Sequence, residues 1–129
     1  MKHDTLNDAI SILKNFERAG KIECVVSPNT KMLRKVLSVF QNEGYIGEFE
    51  VSENFRGGDV RVRLVKKIND CGIIKPRYPV KHTDFTLWEK RYLPSRGFGV
   101  LVVSTSQGIM SHNEAKDKGL GGRLVAFVY

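Results

Sequence analysis

The chain has 129 residues, 41% hydrophobic and 27% charged, which excludes a disordered protein and suits one compact unit or two small lobes. Twenty-one Lys and Arg against fourteen Asp and Glu leave a formal charge of +7. Such an excess favours a polyanionic partner, nucleic acid before an acidic membrane surface, over a protein that is simply basic.

The first predicted element is an amphipathic helix near the amino terminus. Thr5, followed by Asp8, resembles an N-terminal cap, in which a side-chain oxygen accepts from the free amides of the first turn. Gly20 predicts the end of this helix, and a short strand over residues 22–26 follows. The apolar positions recur with helical spacing, at Leu6, Ala9, Ile10, Leu13 and Phe16.

A second helix is predicted to open at Ser27-Pro28, because proline is tolerated in a first turn, where its missing N–H has no intrahelical partner. Gly44 predicts its end. Its buried face should comprise Met32, Leu33, Val36, Leu37 and Phe40.

Two further strands, over residues 45–51 and 59–65, are predicted to form a hairpin around the segment 54–58. In the second strand one face is expected to be apolar and the other cationic, since Val60, Val62 and Leu64 alternate with Arg61 and Arg63. The order α-β-α-β-β predicts two helices packed on one face of a small sheet.

Residues 66–72 have the composition of a linker, and a second lobe follows. Ile73-Ile74 and the pair Pro76 and Pro79 indicate a short edge strand, because proline cannot donate to a central ladder. A helix is predicted over 84–92, capped by Thr83 or Asp84 and anchored by Phe85 and Trp88, and a core strand over 99–105 follows it. A capping box at 111–114 opens a further helix that ends at Gly119, and the last predicted strand covers 123–129.

The elements together predict an α+β fold with two small lobes. Residues 1–68 form an amino-terminal α-β-α-β-β lobe, and residues 69–129 form a carboxy-terminal, mostly antiparallel β lobe with short helices. Residues 1–68 carry 12 basic and 9 acidic residues, and residues 69–129 carry 9 and 5. Both lobes are therefore basic, and the partner is expected to contact both.

A run of hydroxyl and amide side chains follows the predicted core strand: Ser104-Thr105-Ser106-Gln107-Gly108. These groups both donate and accept hydrogen bonds, which suits base edges and ribose 2′-hydroxyls better than phosphates. Glycine allows close approach of a backbone to a flat base, and Gly121-Gly122 could extend the same surface. The alternative is an ordinary turn rich in Ser and Thr.

The same hydroxyls could serve as nucleophiles, which makes a small hydrolase or transferase the rival hypothesis. Ser106 would need an activating base, and His112 is the nearby candidate, with Glu114 as the only obvious orienting carboxylate. The Gly-x-Ser-x-Gly of a nucleophile elbow is absent, so we predict a protein that is not an enzyme.

Basic residues with aromatic neighbours indicate contacts to an RNA backbone. Lys75, Arg77 and Tyr78 form one such group, and Lys90-Arg91-Tyr92 forms another. On the first lobe the candidates are Lys14, Lys31, Arg34 and Lys35. For each of these the alternative is a solvated surface without a ligand.

Cys24 and Cys71 are far apart in sequence and have no neighbouring His or Cys at metal-ligand spacing, so free thiols in a reducing cytosol are expected, with no metal and no cofactor. The longest aliphatic run is 100–103, so no membrane association is expected.

Several motifs in the same order resemble the small-subunit ribosomal protein eight family, in its archaeal and eukaryotic branch. They cover nearly the whole chain. They are Asp4-Thr5-Leu6 with Lys14-Asn15, the segment 28–33, Glu43-Gly44-Tyr45-Ile46-Gly47-Glu48-Phe49, the stretch 71–92, Leu93-Pro94-Ser95-Arg96 with Phe98-Gly99, and the hydroxyl run continuing through Ile109-Met110 to Ala115 and Gly121-Gly122.

This resemblance implies a structural, RNA-binding component of the small ribosomal subunit in the cytoplasm. It implies direct, early binding to the central domain of small-subunit ribosomal RNA, neighbouring small-subunit proteins, and messenger RNA as a further partner in autoregulation. It implies that the RNA minor groove and distorted bases are faced by Ser104, Thr105, Ser106, Gly108 and Gly122. Flanking RNA backbone would be held by Arg77, Tyr78, Thr5, Lys14, Asn15, Thr30 and Lys31. The chain departs from the family at Asn29-Thr30, which bears on the Lys31 contact, and at Gly57.

Overall fold

A computed structural model describes residues 5–27, 29–52, 58–95 and 97–129. Over these ranges the chain forms four helices and eight strands in two antiparallel sheets, which confirms the predicted α+β class. The predictions that rest on Asp4, Pro28, the segment 54–57 and Arg96 lie outside the described residues. None of the helices in the described ranges is long and apolar enough to span a bilayer.

The first half of the chain has the predicted element order. It comprises α1 (Thr5–Arg18), β1 (Glu23–Val26), α2 (Lys31–Asn42), β2 (Ile46–Ser52) and β3 (Asp59–Leu64). The strands form an antiparallel sheet in the order β1-β3-β2, and the hairpin of β2 with β3 is confirmed. On β3 the predicted alternation is also confirmed, because Val60, Val62 and Leu64 are buried.

Helix α1 buries Leu6, Ala9, Ile10 and Leu13, as the helical spacing predicts. Phe16, predicted to belong to the same stripe, is instead 39% exposed, and Ile12 packs partly buried against the core. Thr5, the first residue that the structure describes, is already helical, so it is not the cap that the sequence indicated. Gly20 ends the helix with a φ of 73°, a conformation that glycine adopts without steric cost.

Helix α2 begins later than predicted. Its N-cap is Thr30, whose hydroxyl accepts a hydrogen bond from the Leu33 amide at 3.1 Å, so the helix starts at Lys31 and not at Ser27-Pro28. A threonine cap satisfies an amide that would otherwise lack a partner, which fixes the start there. Gly44 ends the helix as expected, with a φ of 82°.

The second half forms a larger sheet flanked by two short helices. Its elements are β4 (Cys71–Ile73), β5 (Pro79–Val80), α3 (Phe85–Tyr92), β6 (Val100–Thr105), β7 (Gly108–Ser111), α4 (His112–Asp117) and β8 (Gly122–Val128). The strand order is β4-β8-β6-β7, and β5 also pairs with β8. The predicted linker is too long, since Cys71 and Gly72 already pair with β8.

This second sheet is buried on both faces. Val100 and Val102 of β6 pack in an apolar cluster that also contains α1, α2 and the first sheet. Leu101 and Val103, which point to the opposite face, pack in a second cluster with Phe85 of α3. The two halves of the chain thus share apolar core, and helix α2 packs directly against β7.

Candidate nucleic-acid interface

The hydroxyl run forms a tight hairpin turn between β6 and β7. Thr105 pairs with Gly108, which leaves Ser106 and Gln107 as the two central residues of the turn. The Thr105 hydroxyl donates to the Gly108 carbonyl at 2.7 Å and accepts from the Gln107 amide at 3.1 Å. Ser106 and Gln107 are exposed. The Thr105 hydroxyl therefore organises the turn, while the two residues at its tip face solvent.

Two glycines of the predicted site are required by the sheet itself. A Cβ atom on Gly122 would lie 2.1 Å from the Ser104 carbonyl oxygen, and one on Gly121 would lie 2.6 Å from the Val80 carbonyl oxygen. Neither distance is compatible with a side chain, since both neighbours are backbone. The strands around the hydroxyl turn can approach each other this closely only with glycine at these positions.

The start of α2 lies beside the hydroxyl turn. Lys31, Met32 and Lys35 line an open cleft together with Gly108 and Ile109 of β7. Met32 and Ile109 are partly buried and form an apolar floor, while both lysines are exposed. The fold thus brings cations from the first half of the chain next to hydrogen-bonding groups from the second. This juxtaposition depends on the packing of α2 against β7, which no local sequence pattern encodes.

The other predicted contacts of the first lobe lie elsewhere. Thr5, Lys14 and Asn15 are on α1 and do not line this cleft. The Lys14 ammonium forms an ion pair with the Asp70 carboxylate at 2.7 Å. Burial raises the pKa of Asp70, but Lys14, the Cys71 amide and the Tyr129 hydroxyl outweigh it, so the pKa lies below its usual value. The Lys14 charge is therefore already partly balanced within the protein.

The predicted group at 75–78 belongs to the connection between β4 and β5. Arg77 is exposed, and its carbonyl accepts a hydrogen bond from the Arg123 guanidinium at 3.4 Å. Tyr78 is partly buried and stacks on Trp88 of α3, with ring centroids 4.9 Å apart. Trp88 thus covers Tyr78, which the sequence had suggested as a stacking surface for RNA.

The outer face of the first sheet carries charges of both signs. Arg61 and Arg63 are exposed, but Glu23, Glu48 and Glu50 lie on the same surface. The Arg61 guanidinium forms an ion pair with Glu23 at 3.2 Å. The acidic residues come from the neighbouring strands β1 and β2, so the alternation within β3 alone could not reveal them. This face is less suited to a polyanion than the cleft beside α2.

His112 cannot act as a base for Ser106, which removes the catalytic hypothesis. The imidazole is 2% exposed, its Nδ1 accepts from the Leu101 amide at 3.0 Å, and its Nε2 lies 2.9 Å from Glu89 Oε1. Both ring nitrogens are therefore occupied. Ser106 follows the end of β6, five residues beyond Leu101, which is roughly 16 Å at the rise of a strand.

Glu89 is the partner of His112, and no motif in the sequence predicts this pair. Glu89 is 6% exposed and also pairs with Lys116, whereas Glu114, the expected orienting residue, pairs with Lys118 at 3.3 Å. Burial lowers the pKa of His112, and the opposing effect of Glu89 does not cancel it. The ring is therefore neutral and links α4 to α3 through the Glu89 carboxylate.

Two basic lobes, an exposed hydroxyl turn and a cleft with lysines on its rim define an α+β protein of the RNA-binding class. A family model described as ribosomal protein S8 matches residues 4–129, essentially the whole chain. The chain belongs to the ribosomal protein S8 family. It is therefore a structural protein of the small ribosomal subunit, where the family binds ribosomal RNA and contacts other small-subunit proteins.

Proposed function

We propose that this protein binds the central domain of small-subunit ribosomal RNA directly and early in subunit assembly. The observation that carries the proposal is the cleft in which Lys31 and Lys35 lie beside Gly108 of the hydroxyl turn. Ammonium groups neutralise phosphates without regard to sequence, whereas hydroxyl and amide groups select base edges and ribose hydroxyls. A folded RNA that fits the cleft would meet both kinds of group at once.

The two lobes, 1–68 and 69–129, would make different kinds of contact with the RNA. The carboxy-terminal lobe supplies neutral hydrogen-bonding groups at Ser106 and Gln107, held at the tip of a turn that Thr105 braces from inside. The amino-terminal lobe supplies exposed cations at the start of α2, with Thr30 fixing where that helix begins. Shape and hydrogen bonding then set specificity, and charge sets much of the affinity.

The remaining predicted contacts extend this surface. Lys75 and Arg77 would hold RNA backbone on the β4–β5 connection, and Asn15 would do so on the exposed side of α1. Lys14 would exchange its ion pair with Asp70 for a phosphate. The same surface would bind a messenger RNA that presents the same folded shape, which is the basis proposed for autoregulation.

The experiment is a filter-binding titration of the purified protein against separate transcripts of the central domain and of the other domains of the same ribosomal RNA. The proposal predicts tightest binding to the central-domain transcript at moderate salt, in the absence of other ribosomal proteins. Equal affinity for all domain transcripts, or binding only after other proteins are added, would contradict it.

A further inference from the structure

The stretch between β4 and β6 contains a continuous row of aromatic rings that the proposed contacts leave largely unused. Tyr78 stacks on Trp88, and Trp88 on Tyr92, with centroids 4.9 Å and 6.4 Å apart. The row continues to Phe127 of β8 and then to Tyr129, which follows that strand. All five of these rings pack against the second apolar cluster. Trp88, in addition, lines an open cleft.

Arg91 lies over this end of the row. Its guanidinium carbon is 5.4 Å from the ring centroids of both Tyr78 and Trp88, and 5.9 Å from that of Tyr92. Arg91 is itself exposed. A guanidinium held by several rings keeps its orientation while its N–H groups remain able to donate, and its planar face can stack on a nucleobase.

The cleft beside Trp88 combines apolar and charged side chains. It is lined by Pro79, Asp84, Leu87, Trp88 and Arg91, and Leu87 is 66% exposed. An exposed leucine next to an indole and a guanidinium provides a surface for the flat face of a base. The surrounding segment 75–96 has six basic and two acidic residues, and one of those acids, Glu89, is buried and paired. The charge favours a polyanionic occupant over a basic protein segment.

Strand pairing also brings the cleft near the hydroxyl turn. In the sheet, Thr105 pairs with Gly122, and Gly122 pairs with Val80 of β5. Thr105 of the hydroxyl turn and Val80, which follows the cleft residue Pro79, are thus two strand spacings apart, roughly 10 Å. One RNA segment can therefore lie across the end of the sheet and reach both places.

We propose that the cleft formed by Trp88, Arg91 and Leu87 receives an unpaired RNA base next to the segment held by the hydroxyl turn. This inference rests on the proposed function, since it adds a stacking site to that surface. Arg91 would contact the base by its planar face and a neighbouring phosphate by its N–H groups. Trp88 would border the base on the apolar side.

The protein carries its own reporter for this site, because Trp88 is its only tryptophan. Tryptophan emission is recorded while the intact protein is titrated with a short oligoadenylate, and in parallel with an abasic ribose-phosphate chain of the same length. Both probes carry the same phosphates, but only the first carries bases. The proposal predicts quenching by oligoadenylate and little change with the abasic chain. No response, or the same response to both, overturns it.

Two substitutions on α3 sharpen the test. Arg91→Ala and Lys90→Ala each remove one exposed positive charge from the helix, but the structure places only Arg91 over the rings. Arg91→Ala is expected to weaken oligoadenylate binding about tenfold, and Lys90→Ala to weaken it far less. Equal losses would mean that only charge matters, which overturns the stacking site. Thermal unfolding of both variants checks that the fold is kept.

The outcome separates this inference from the proposed function. If the protein binds the central-domain transcript with full affinity while Trp88 emission responds to neither that transcript nor oligoadenylate, the stacking site is wrong and the proposed function stands. Quenching by other small-subunit proteins in place of RNA would identify a protein-docking cleft and would equally overturn it. Failure to bind the transcript at all overturns both.

Discussion

His112 Nε2 donates a hydrogen bond to Glu89 Oε1 across 2.9 Å of buried space, which joins α4 to α3. On the other side of the ring, Nδ1 accepts from the Leu101 amide, so the histidine also fastens α4 to the central strand β6. Lys116 completes the network by pairing with the same carboxylate. The neutral imidazole thus stabilises the carboxy-terminal lobe by linking α4 to both α3 and β6.

The first prediction concerns stability and pH. Burial lowers the pKa of His112 below its ordinary value of 6.5, so the unfolded chain binds a proton there before the folded protein does. The contribution of His112 is therefore fully present above pH 6.5 and falls as the pH drops below it. The free energy of unfolding, measured by urea denaturation, should decrease between pH 7 and pH 5.

A variant with a non-titrating ring provides the control. His112→Phe should lower stability at every pH, because it leaves the Leu101 amide unpaired, but it should flatten the decrease between pH 7 and pH 5. The pKa of Glu89 lies below its ordinary 4.5, despite burial, because of Lys116 and His112, so Glu89 loses its contribution only at lower pH. An unchanged slope in His112→Phe would assign the effect to other groups.

The second prediction concerns Gly122, the first residue of β8, which pairs with β6. Gly122→Ala should cost at least about 2 kcal/mol of unfolding free energy, since its Cβ would overlap the backbone carbonyl of Ser104. Gly47→Ala is the matched control, because its Cβ would meet side-chain atoms at 3.3 Å and the strand pairing could adjust. Similar losses for the two variants in urea denaturation would show that the close approach at Gly122 is not what requires glycine.

The third prediction separates the two hydroxyls of the turn. Ser106→Ala should leave stability unchanged because Ser106 is exposed, but it should weaken binding to the central-domain transcript by about 1–3 kcal/mol. The salt dependence of RNA binding by this variant should stay as in the native protein. Thr105→Ala should instead lose about 1 kcal/mol of stability as well, because the Thr105 hydroxyl bonds to Gly108 and Gln107. Ser52→Ala, on the exposed outer edge of the first sheet, is the neutral control.

The fourth prediction compares two lysines of the first lobe. Lys31→Ala should reduce the slope of log affinity against log salt by about one unit and leave stability unchanged. Lys14→Ala should change this slope less, because Asp70 already balances the charge of Lys14. It should also lower the free energy of unfolding by up to about 1 kcal/mol. The reverse pattern in salt-dependent filter binding would place the main phosphate contact on α1 and not in the cleft.

Much of the fold could be predicted because its signals are local. The spacing of Leu6, Ala9, Ile10 and Leu13 predicts α1, and the left-handed glycines Gly20 and Gly44 predict where α1 and α2 end. The Ser111 cap was predicted in the same way, and its hydroxyl accepts from the Glu114 amide as expected. Helical periodicity and helix capping depend on residues three or four positions apart, so both signals can be recognised in a single sequence.

The rest depends on contacts between distant segments. Glu89 and His112 are 23 positions apart, and only the tertiary fold of the second half of the chain brings them together. The glutamates beside Arg61 come from other strands, and the cleft beside Lys31 exists because α2 packs on β7. The residue types of the candidate site could thus be predicted from the sequence, but the residues that lie next to them in the fold could not.

The central claim, that RNA lies against the tip of the hydroxyl turn, can be tested by site-directed photo-crosslinking. Burial, with smaller effects from nearby charges, raises the pKa of Cys24 to about 11 and that of Cys71 to about 12, so a thiol introduced at the surface can be labelled selectively. A photoactivatable group on Ser106→Cys should crosslink to central-domain RNA, while the same group on Glu48→Cys, on the outer face of the first sheet, should not. Crosslinking from position 48 with none from position 106 would contradict the account.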